Sequence, residues 1–578
     1  MTQGASLQGI SLPDELQVAV DAALQRAGAE GWVSRIWDGD ATVWSADQPV
    51  QDRIRNRLGW LHAPERFLDD VVELRAFADG VREQGFTRVV LCGMGGSSLA
   101  PDVLAATYGV TPDRGLPVHV LDSTDPAAVR RVRDSFDPAT TLYVIATKSG
   151  TTTETLSFLA SFWDQETHGR GFSWPSLHFA AITDPGRSME SIPHYNEFRE
   201  VFLNPVDVGG RYSALTYVGC VPAALLGIDL ERLLSQGVRM AQRCREDGTD
   251  NPGLVLGATM GALARSGRDK LTFLADPAVA PFGAWVEQLI AESTGKQGVG
   301  IVPIDREPLG QVDSYGPDRA FVRLSLAGNA EWRGETDPLV RGLTGAGHPV
   351  VEIEVDPDLG LGGEFFRWEF ATAVAGAVLG IDPFDEPNVT ESKENTRRVL
   401  EAYHGHGQLP ALEPLATEGP LTLFGDAALR LSANDGSVPG ELRRHLARAK
   451  ANSYLSIQAY MAPGPERTAA LQAIRALLRD RTGRATTLGY GPRFLHSTGQ
   501  LHKGGAPIGW FLQLVAGHPE DLPIPGTDHS FGTLIDAQAL GDFQALEAHE
   551  LPVLRVDCSA DPDAGLVALQ AALERALG

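Results

Sequence analysis

The feature that most constrains the fold is a regular alternation of short apolar runs and longer amphipathic stretches between residues 87 and 184. The strand-length runs TRVVLCG, PVHVLDS, TLYVIAT and LHFAAITD are separated by helix-length segments such as SSLAPDVLAATYG and TTETLSFLASFWDQ. Strands that alternate with helices in this way form a parallel sheet, because each parallel connection must cross a face of the sheet. We predict one doubly wound α/β domain over residues 60–234, preceded by a helical N-terminal arm over residues 1–59.

The same alternation returns twice downstream. The runs KLTFLAD, AFVRLSLAG and PVVEIEVD predict the strands of a second domain over residues 235–420. The runs YLSIQAYM, GWFLQLVAG and LPVLRVD predict a smaller α/β domain over residues 421–578. A chain of 578 residues with 43% hydrophobic content is too long for a single core, which favours several domains. The predicted fold class is α/β, with two doubly wound parallel sheets plus a smaller C-terminal α/β domain.

Charge and terminal sequence exclude several kinds of partner. The formal net charge of −25 argues against nucleic acid or an anionic membrane surface, since both require cationic surfaces on the protein. The N-terminus has no basic segment followed by an apolar one, and no apolar run approaches the roughly 18 residues that a membrane span needs. The four cysteines show no C-x-x-C or metal-ligand spacing, so we expect no disulfide framework and no metal. A cytoplasmic protein is the expectation.

Two polar loops follow predicted strands of the first domain. They supply Gly96 and Ser97 from CGMGGSSLAP, and Thr147, Lys148, Ser149, Thr151 and Thr152 from ATKSGTTTET. Ligands of open parallel sheets bind at the carboxyl ends of strands, where helix N-termini expose N–H groups and a partial positive charge. Glycines let the backbone approach a ligand, and hydroxyl groups donate hydrogen bonds to it. We predict that these residues bind one phosphate without a metal.

Both loops have alternative interpretations. Gly93-x-Gly95-x-x-Ser98 is nearly a dinucleotide fingerprint, and Asp122 ends the next strand where a ribose ligand would lie, although the third glycine is missing. Thr151-x-x-Glu154 also fits a capping box, which would make the second loop only the start of a helix. A cap needs one hydroxyl, whereas this loop has a run of them. We therefore favour a phosphate site and expect no cofactor.

Four stretches then carry a family resemblance. GMGGSSLAP and ATKSGTTTET resemble the two phosphosugar loops of sugar isomerase (SIS) domains, and VGGRYSALTYVG and AESTGK resemble signatures of the glucose-6-phosphate isomerase family, in that family's order. FDEPNVTESKENTRRVL is similar to the family's C-terminal helix, which carries a catalytic lysine. The chain is most similar to the isomerase portion of bifunctional transaldolase/phosphoglucose isomerases. The resemblance implies two SIS-like domains and interconversion of glucose-6-phosphate and fructose-6-phosphate in glycolysis and gluconeogenesis.

The chemistry that the resemblance implies needs particular residue types. Moving a proton between C2 and C1 of a sugar phosphate through an enediolate requires a base, a fixed cation and acid/base groups that open the ring. By resemblance Glu292 is the base, Gln288 contacts the substrate and Lys393 takes part in ring opening. Gln288 and Glu292 are four residues apart and can face one site from one helix. Arg211 follows a glycine pair, and we assign its permanently charged guanidinium to the enediolate.

The ring-opening histidine departs from the family pattern. It normally lies between the base and the lysine, but the only histidine there is His348, in the turn-like GAGHPV. His496 in GPRFLHSTGQLHKGG matches the family's H-x-x-x-Q-L run, and His529 in PGTDHSFGTL is a competitor. In dimeric family members the neighbouring subunit contributes this histidine. We predict instead that the C-terminal domain folds back and that His496 completes the site of its own chain.

Two other functions stay open on the sequence. One is a SIS isomerase of another sugar phosphate, such as mannose-6-phosphate. The other is a non-catalytic sugar-phosphate sensor, which would keep both phosphate loops but need none of Glu292, Arg211 or Lys393; their joint presence favours an enzyme. The oligomeric state, a monomer included, and any functional link to a transaldolase stay open as well.

Overall fold

The computed structural model describes residues 7–167, 175–355, 360–432 and 435–578. The N-terminal segment starts with one strand and continues with five helices. Its elements are β1 (Leu7–Ser11), α1 (Asp14–Ala29), α2 (Trp32–Trp37), α3 (Gln48–Arg55), α4 (Ala63–Leu68) and α5 (Val71–Glu83). The predicted helical arm thus also contributes a strand, and this strand belongs to the sheet of the second domain. Fully buried Trp32 and Trp60 pack the segment onto the rest of the chain.

The first sheet has five strands, all parallel to their neighbours. Its elements are β2 (Arg88–Cys92), α6 (Leu99–Tyr108), β3 (Val118–Leu121), α7 (Pro126–Ser135), β4 (Thr141–Ala146), α8 (Thr153–Thr167), α9 (Pro175–His178), β5 (Phe179–Thr183), α10 (Arg187–Glu190), β6 (Glu200–Leu203) and α11 (Tyr217–Leu225). The strand order is β3-β2-β4-β5-β6. The chain passes from β2 to β3 toward one edge of the sheet and from β4 to β5 toward the other edge. The two polar loops, which follow β2 and β4, therefore meet where the strand order changes direction.

The second sheet also has five strands, in the order β1-β10-β9-β7-β8. Its further elements are α12 (Leu230–Arg243), α13 (Pro252–Arg265), β7 (Lys270–Ala275), α14 (Phe282–Thr294), β8 (Val302–Ile304), β9 (Arg319–Leu326), α15 (Ala330–Gly345), β10 (Val350–Val355), α16 (Leu361–Leu379) and α17 (Pro387–His406). Only β1 runs antiparallel to its neighbour. Helix α16 is buried almost throughout, which explains why FRWEFATAVAGAVLG lacks a polar face.

The C-terminal sheet is mixed and has its own hydrophobic core. Its elements are β11 (Ala416–Glu418), β12 (Leu421–Gly425), α18 (Ala427–Leu431), α19 (Val438–Leu446), β13 (Tyr454–Tyr460), α20 (Pro465–Thr482), β14 (Thr486–Tyr490), α21 (Gly499–Gly504), β15 (Gly509–Val515), α22 (Phe531–Ala548), β16 (Val553–Asp557) and α23 (Pro562–Leu577). Strands β13 to β16 are parallel, whereas β11 and β12 pair antiparallel. The predicted α/β fold class is confirmed, with two parallel-dominated sheets and a third, mixed sheet.

Eight short 3₁₀ helices complete the described secondary structure. They are Ala41–Val43, Gly59–His62, Gly95–Ser97, Pro138–Thr140, Tyr195–Glu197, Gly210–Tyr212, Val312–Ser314 and Arg493–His496. Three of them, Gly95–Ser97, Gly210–Tyr212 and Arg493–His496, carry or adjoin predicted site residues. Over residues 7–167, 175–355, 360–432 and 435–578, no helix combines the length and apolar character needed to cross a membrane.

The C-terminal domain folds back onto both preceding domains. Helix α22 packs along α17, and α21 packs against α14. The side chain of Gln500, on α21, links α17 and the end of α14, since its Oε1 accepts from the backbone N–H of Asn388 at 2.8 Å and its Nε2 donates to the Gly295 carbonyl at 3.0 Å. On the first domain, Arg493 forms ion pairs with Asp102 at 2.6 Å and Asp122 at 3.0 Å. These contacts hold residues 493–504 between the two other domains.

Candidate active site

A cleft of about 400 Å³ lies where the carboxyl ends of β2 and β4 meet the second and C-terminal domains. All four predicted catalytic residues and most of the predicted binding residues line it. Those lining the cleft are Gly96, Ser97, Lys148, Ser149, Thr152, Arg211, Gln288, Glu292, Lys393 and His496. The structure therefore brings together residues that are up to 400 positions apart in the sequence, as between Gly96 and His496.

The hydroxyl loop after β4 forms the floor of the cleft. Thr147 is buried, and its Oγ1 lies 3.0 Å from Oγ1 of Thr152. Ser149 Oγ lies 3.0 Å from Thr151 Oγ1. Between them Gly150 has a φ of +69°, and a Cβ there would lie 1.8 Å from the Ser188 carbonyl oxygen, so only glycine fits. Thr147 and Thr151 do not line the cleft themselves; they support Thr152 and Ser149, which do.

Two cations lie beside these hydroxyl groups. Lys148 Nζ forms an ion pair with Asp184 Oδ2 at 2.6 Å, and Arg57 is half-buried at the same rim. Burial raises the pKa of Asp184 although the Lys148 and Arg57 charges act in the opposite direction. Arg57 lies far upstream of both loops and has no sequence context that marks it as a ligand. This end of the cleft thus carries two cationic side chains, in a chain whose formal net charge is −25.

Arg211 is held rigidly from three directions. Its Nε donates to Ser293 Oγ at 2.7 Å, and its Nη2 donates to the carbonyls of Pro383 at 2.8 Å and Asp385 at 3.0 Å. Its Nη1 donates to Glu386 Oε2 at 2.9 Å. The side chain is only 2% exposed. A guanidinium fixed in this way keeps one face toward the cleft without needing to reorganise.

Glu292 lies in the last turn of α14 and is buried. Its Oε1 is 3.6 Å from Nη1 of Arg211, and its Oε2 accepts from Gln288 Nε2 at 3.0 Å. Burial raises the pKa of Glu292 to about 7; the Arg211 charge opposes this shift and the Glu386 charge adds to it. A carboxylate that titrates near neutral pH both accepts and returns a proton readily, which is what a general base requires.

His496 reaches the cleft from the C-terminal domain. Its Nε2 lies 2.9 Å from Glu154 Oε1, and Gln538 donates to the same oxygen at 2.7 Å. Burial acts to raise the pKa of Glu154, but the charge and hydrogen bond of His496 outweigh it, so the pKa lies below its ordinary value. The His496 carbonyl accepts from Gln288 Nε2 at 2.7 Å. A Cβ on Gly95 would lie 2.4 Å from that carbonyl oxygen, so the loop after β2 and the histidine are in direct contact.

Lys393 projects from α17 beside His496. It is exposed, and within the described ranges its ammonium makes no ion pair. Its charge contributes to lowering the pKa of Glu154, which places it near the histidine and carboxylate pair. Lys393 lines both this cleft and the neighbouring cavity that Glu154 and His496 also line, so its exposed ammonium group can meet a ligand hydroxyl there.

The other candidate residues lie elsewhere. His529 packs against His404, with ring centroids 5.6 Å apart, and His348 contacts Phe321; neither lines the cleft. Asp122, the possible ribose ligand, pairs with Arg493. Glu154 does not serve simply as a helix cap, because its carboxylate accepts hydrogen bonds from distant residues.

The sequence interpretation missed Glu386 and the role of Glu154. Glu386 is the glutamate of the FDEPN stretch and directly precedes α17, but only its spatial proximity to Arg211 shows its role. Glu154 is part of the quoted hydroxyl loop, but its capping-box spacing gave a local explanation that concealed its long-range partner. The only sequence signal for Glu154 is a carboxylate within the hydroxyl-rich loop, and its burial becomes known only from the structure.

Comparisons with known proteins identify the family of this chain. Residues 72–302 match the family model described as phosphoglucose isomerase. A glucose-6-phosphate isomerase of Rubrobacter xylanophilus is 32% identical over 362 residues, which are 55% of this chain and 84% of that protein. A probable glucose-6-phosphate isomerase of Haloarcula marismortui is 30% identical over 54% of this chain and 78% of its own length.

Two solved structures share the fold. A hypothetical protein from Thermus thermophilus has a TM-score of 0.56 and 25% identity, and the match covers 68% of this chain and all of that chain. A glucose-6-phosphate isomerase from Chlamydia trachomatis has a TM-score of 0.52 and 18% identity, covering 67% of this chain and 86% of that chain. At 18% identity this second likeness concerns the fold alone.

Proposed function

The chain belongs to the phosphoglucose isomerase family, and from that premise we propose that it interconverts glucose-6-phosphate and fructose-6-phosphate through an enediolate. The observation that carries the proposal is the pairing of buried Glu292 with clamped Arg211 in a cleft whose other end is lined by hydroxyl groups and cations. A base and a fixed positive charge are what an enediolate pathway needs, and the hydroxyl loop suits a phosphate.

In the proposed complex the phosphate binds at the hydroxyl loops. Ser97, Ser149 and Thr152 donate hydrogen bonds, the N-terminus of α8 adds its partial positive charge, and Lys148 and Arg57 lie at the edge. Hydroxyl donors are suited to this task because a phosphate held by several buried ion pairs would leave slowly. Each product must be released in every catalytic cycle.

Ring opening is assigned to His496 and Lys393. A proton leaves the C1 hydroxyl of the cyclic sugar, another is added to the ring oxygen, and the C1–O5 bond breaks to give the open-chain aldehyde. An imidazole can donate and accept protons near neutral pH. Glu154 orients the His496 ring through the 2.9 Å hydrogen bond.

The isomerisation step uses Glu292 and Arg211. The Glu292 carboxylate removes the C2 proton, the electron pair forms the C1–C2 double bond, and negative charge develops on the C1 oxygen. Arg211 stabilises that charge. The proton of the C2 hydroxyl passes to the C1 oxygen, and Glu292 returns its own proton to C1 as a carbonyl forms at C2. No atom is gained or lost, so the reaction needs neither an oxidant nor a reductant. A pKa near 7 suits both the removal and the return of the proton.

The identity of the sugar is the finer part of the proposal. Glucose-6-phosphate is favoured because the relatives named above carry that activity in their names. Mannose-6-phosphate differs only at C2, the carbon that loses its proton, so it remains the main competitor.

A coupled assay with fructose-6-phosphate and then with mannose-6-phosphate tests the activity and its specificity. Glu292→Gln keeps the shape of the side chain but removes the base, and we expect kcat to fall by roughly 10²–10⁴ with little change in KM. Glu287→Gln is the matched control, since Glu287 is a half-buried carboxylate of the same helix that does not line the cleft. A near-normal kcat for Glu292→Gln would contradict the proposed base.

Two measurements test whether one chain completes its own site. His496→Ala should slow turnover of the cyclic substrate much more than turnover of an analogue that cannot cyclise. Mixing inactive Glu292→Gln chains with inactive His496→Ala chains should restore no activity. Recovery on mixing would mean that the histidine is exchanged between subunits.

A further inference from the structure

A second cluster of ligating side chains lies outside the cleft, at the end of α17. His404, Asp528 and His529 each offer one ligand atom, and these atoms all lie within 4.8 Å of one another. His404 Nδ1 is 2.8 Å from Asp528 Oδ1, and His529 Nδ1 is 3.7 Å from the same oxygen. Ligands bound to zinc at about 2.0–2.2 Å in a tetrahedron are about 3.3–3.6 Å apart, so small side-chain rotations suffice to form a site.

The buried ring nitrogen of His529 is an independent indication that this cluster binds a ligand. Its side chain is only 11% exposed, and within the described part of the chain its Nδ1 is buried without a hydrogen-bond partner. A buried polar atom without a partner is costly, and a ligand at that position would satisfy it. The neighbouring His404 and Asp528 are 37% and 68% exposed, so an ion has an open route from solvent.

We propose that these three residues bind one divalent transition-metal ion of the zinc class. Two imidazole nitrogens and one carboxylate oxygen are the donor set that zinc accepts, and a water molecule can take the fourth position. The residues come from two segments of the chain, because His404 lies in the last turn of α17 while Asp528 and His529 lie in the loop before α22. The ion therefore joins the second domain to the C-terminal domain.

The position of this site suggests a structural role. Helix α17 carries Lys393, and the C-terminal domain carries His496; both line a second cavity of about 510 Å³ whose wall also includes His404. A metal at the far end of α17 ties the lysine helix to the domain that supplies the histidine. The proposed site is separate from the isomerisation chemistry, and it does not depend on the proposed function.

Calorimetric titration of the full chain with ZnCl₂, after removal of metal with EDTA, tests the site. We expect one ion per chain and a higher Tm in zinc. His404→Ala and His529→Ala should each weaken binding by about tenfold or more, since each removes one of three ligands. His406→Ala is the control, because it removes an exposed histidine of the same helix end that does not belong to the cluster.

Hydrogen exchange provides a second readout that requires no mutation. Zinc should slow amide exchange around residues 400–406 and 525–531 in the wild type and not in the His529→Ala variant. Zinc binding that survives both His404→Ala and His529→Ala, or that is lost equally in His406→Ala, would overturn the proposal. So would zinc that binds without slowing exchange in the two segments, leaving the cluster a surface ion pair only.

Discussion

Neutralising Glu386 should change the pH dependence of the reaction. Glu386 and Glu292 share one guanidinium nitrogen, because Arg211 Nη1 lies 2.9 Å from the first and 3.6 Å from the second. The negative charge of Glu386 helps to raise the pKa of Glu292. Glu386→Gln removes that charge and leaves Arg211 free to approach Glu292. Both changes favour the ionised base, so we expect the pKa of Glu292 to fall.

The size of the shift follows from the geometry. Two like charges about 6 Å apart repel by roughly 3 kcal/mol at an effective dielectric constant of ~20. The Glu386 side chain is 42% exposed, and solvent screens such a charge strongly. After that discount we expect about 1 kcal/mol, which corresponds to a little less than one pH unit. The acid limb of kcat/KM should therefore move from near pH 7 to near pH 6.

The measurement is kcat/KM for fructose-6-phosphate between pH 5 and pH 9. The plateau should fall by a few-fold, because a weaker base removes a proton more slowly. Glu401→Gln serves as the control, since Glu401 also forms an ion pair with an arginine on α17 but is exposed and lies outside the cleft. An acid limb that stays in place or moves to higher pH in Glu386→Gln would refute the reasoning.

Three further predictions address binding, positioning and stability. Thr152→Val deletes one proposed hydrogen-bond donor to the phosphate. It should raise KM roughly 10- to 100-fold with little effect on kcat, because a hydrogen bond to a charged group contributes about 1.5–3 kcal/mol. An unchanged KM would mean that the hydroxyl cluster is only a helix cap. Arg493→Ala should lower kcat for the cyclic substrate more than for an analogue that cannot cyclise, because the ion pairs of Arg493 hold the 3₁₀ helix that carries His496. Equal losses of kcat for the two substrates would indicate a general folding defect. Burial holds the pKa of Glu369 in the folded protein well above its value in the unfolded chain. The free energy of unfolding should therefore fall by about 1.4 kcal/mol per pH unit as pH rises above the unfolded-state pKa. Urea unfolding at pH 5 and pH 8 should show a weaker loss of stability for Glu369→Gln, and an identical loss would contradict this.

The sequence by itself determined the layout of the sheets and the position of the loops. Apolar runs of strand length and amphipathic segments of helix length show, from neighbouring residues alone, which segments are strands or helices and which of their faces are buried. The α/β class and the strands near 88–146 could therefore be predicted. The polar loops follow β2 and β4, and Gln288 and Glu292 share a helix face for the same local reason. Even so, the strand Leu7–Ser11 was missed, because an edge strand is recognised only beside its partner, β10.

The tertiary structure alone decided the partners of the charged groups. Arg211 donates hydrogen bonds to residues 383–386, more than 170 positions away, and His496 forms a hydrogen bond with Glu154 across 342 positions. No periodicity encodes such pairs, because they depend on how three domains pack and on which ionisable groups that packing buries. The same burial raises the pKa of Glu292 to about 7. Side-chain types can therefore suggest a base and a cation, but only their shared low-dielectric environment determines how strongly each acts on the other.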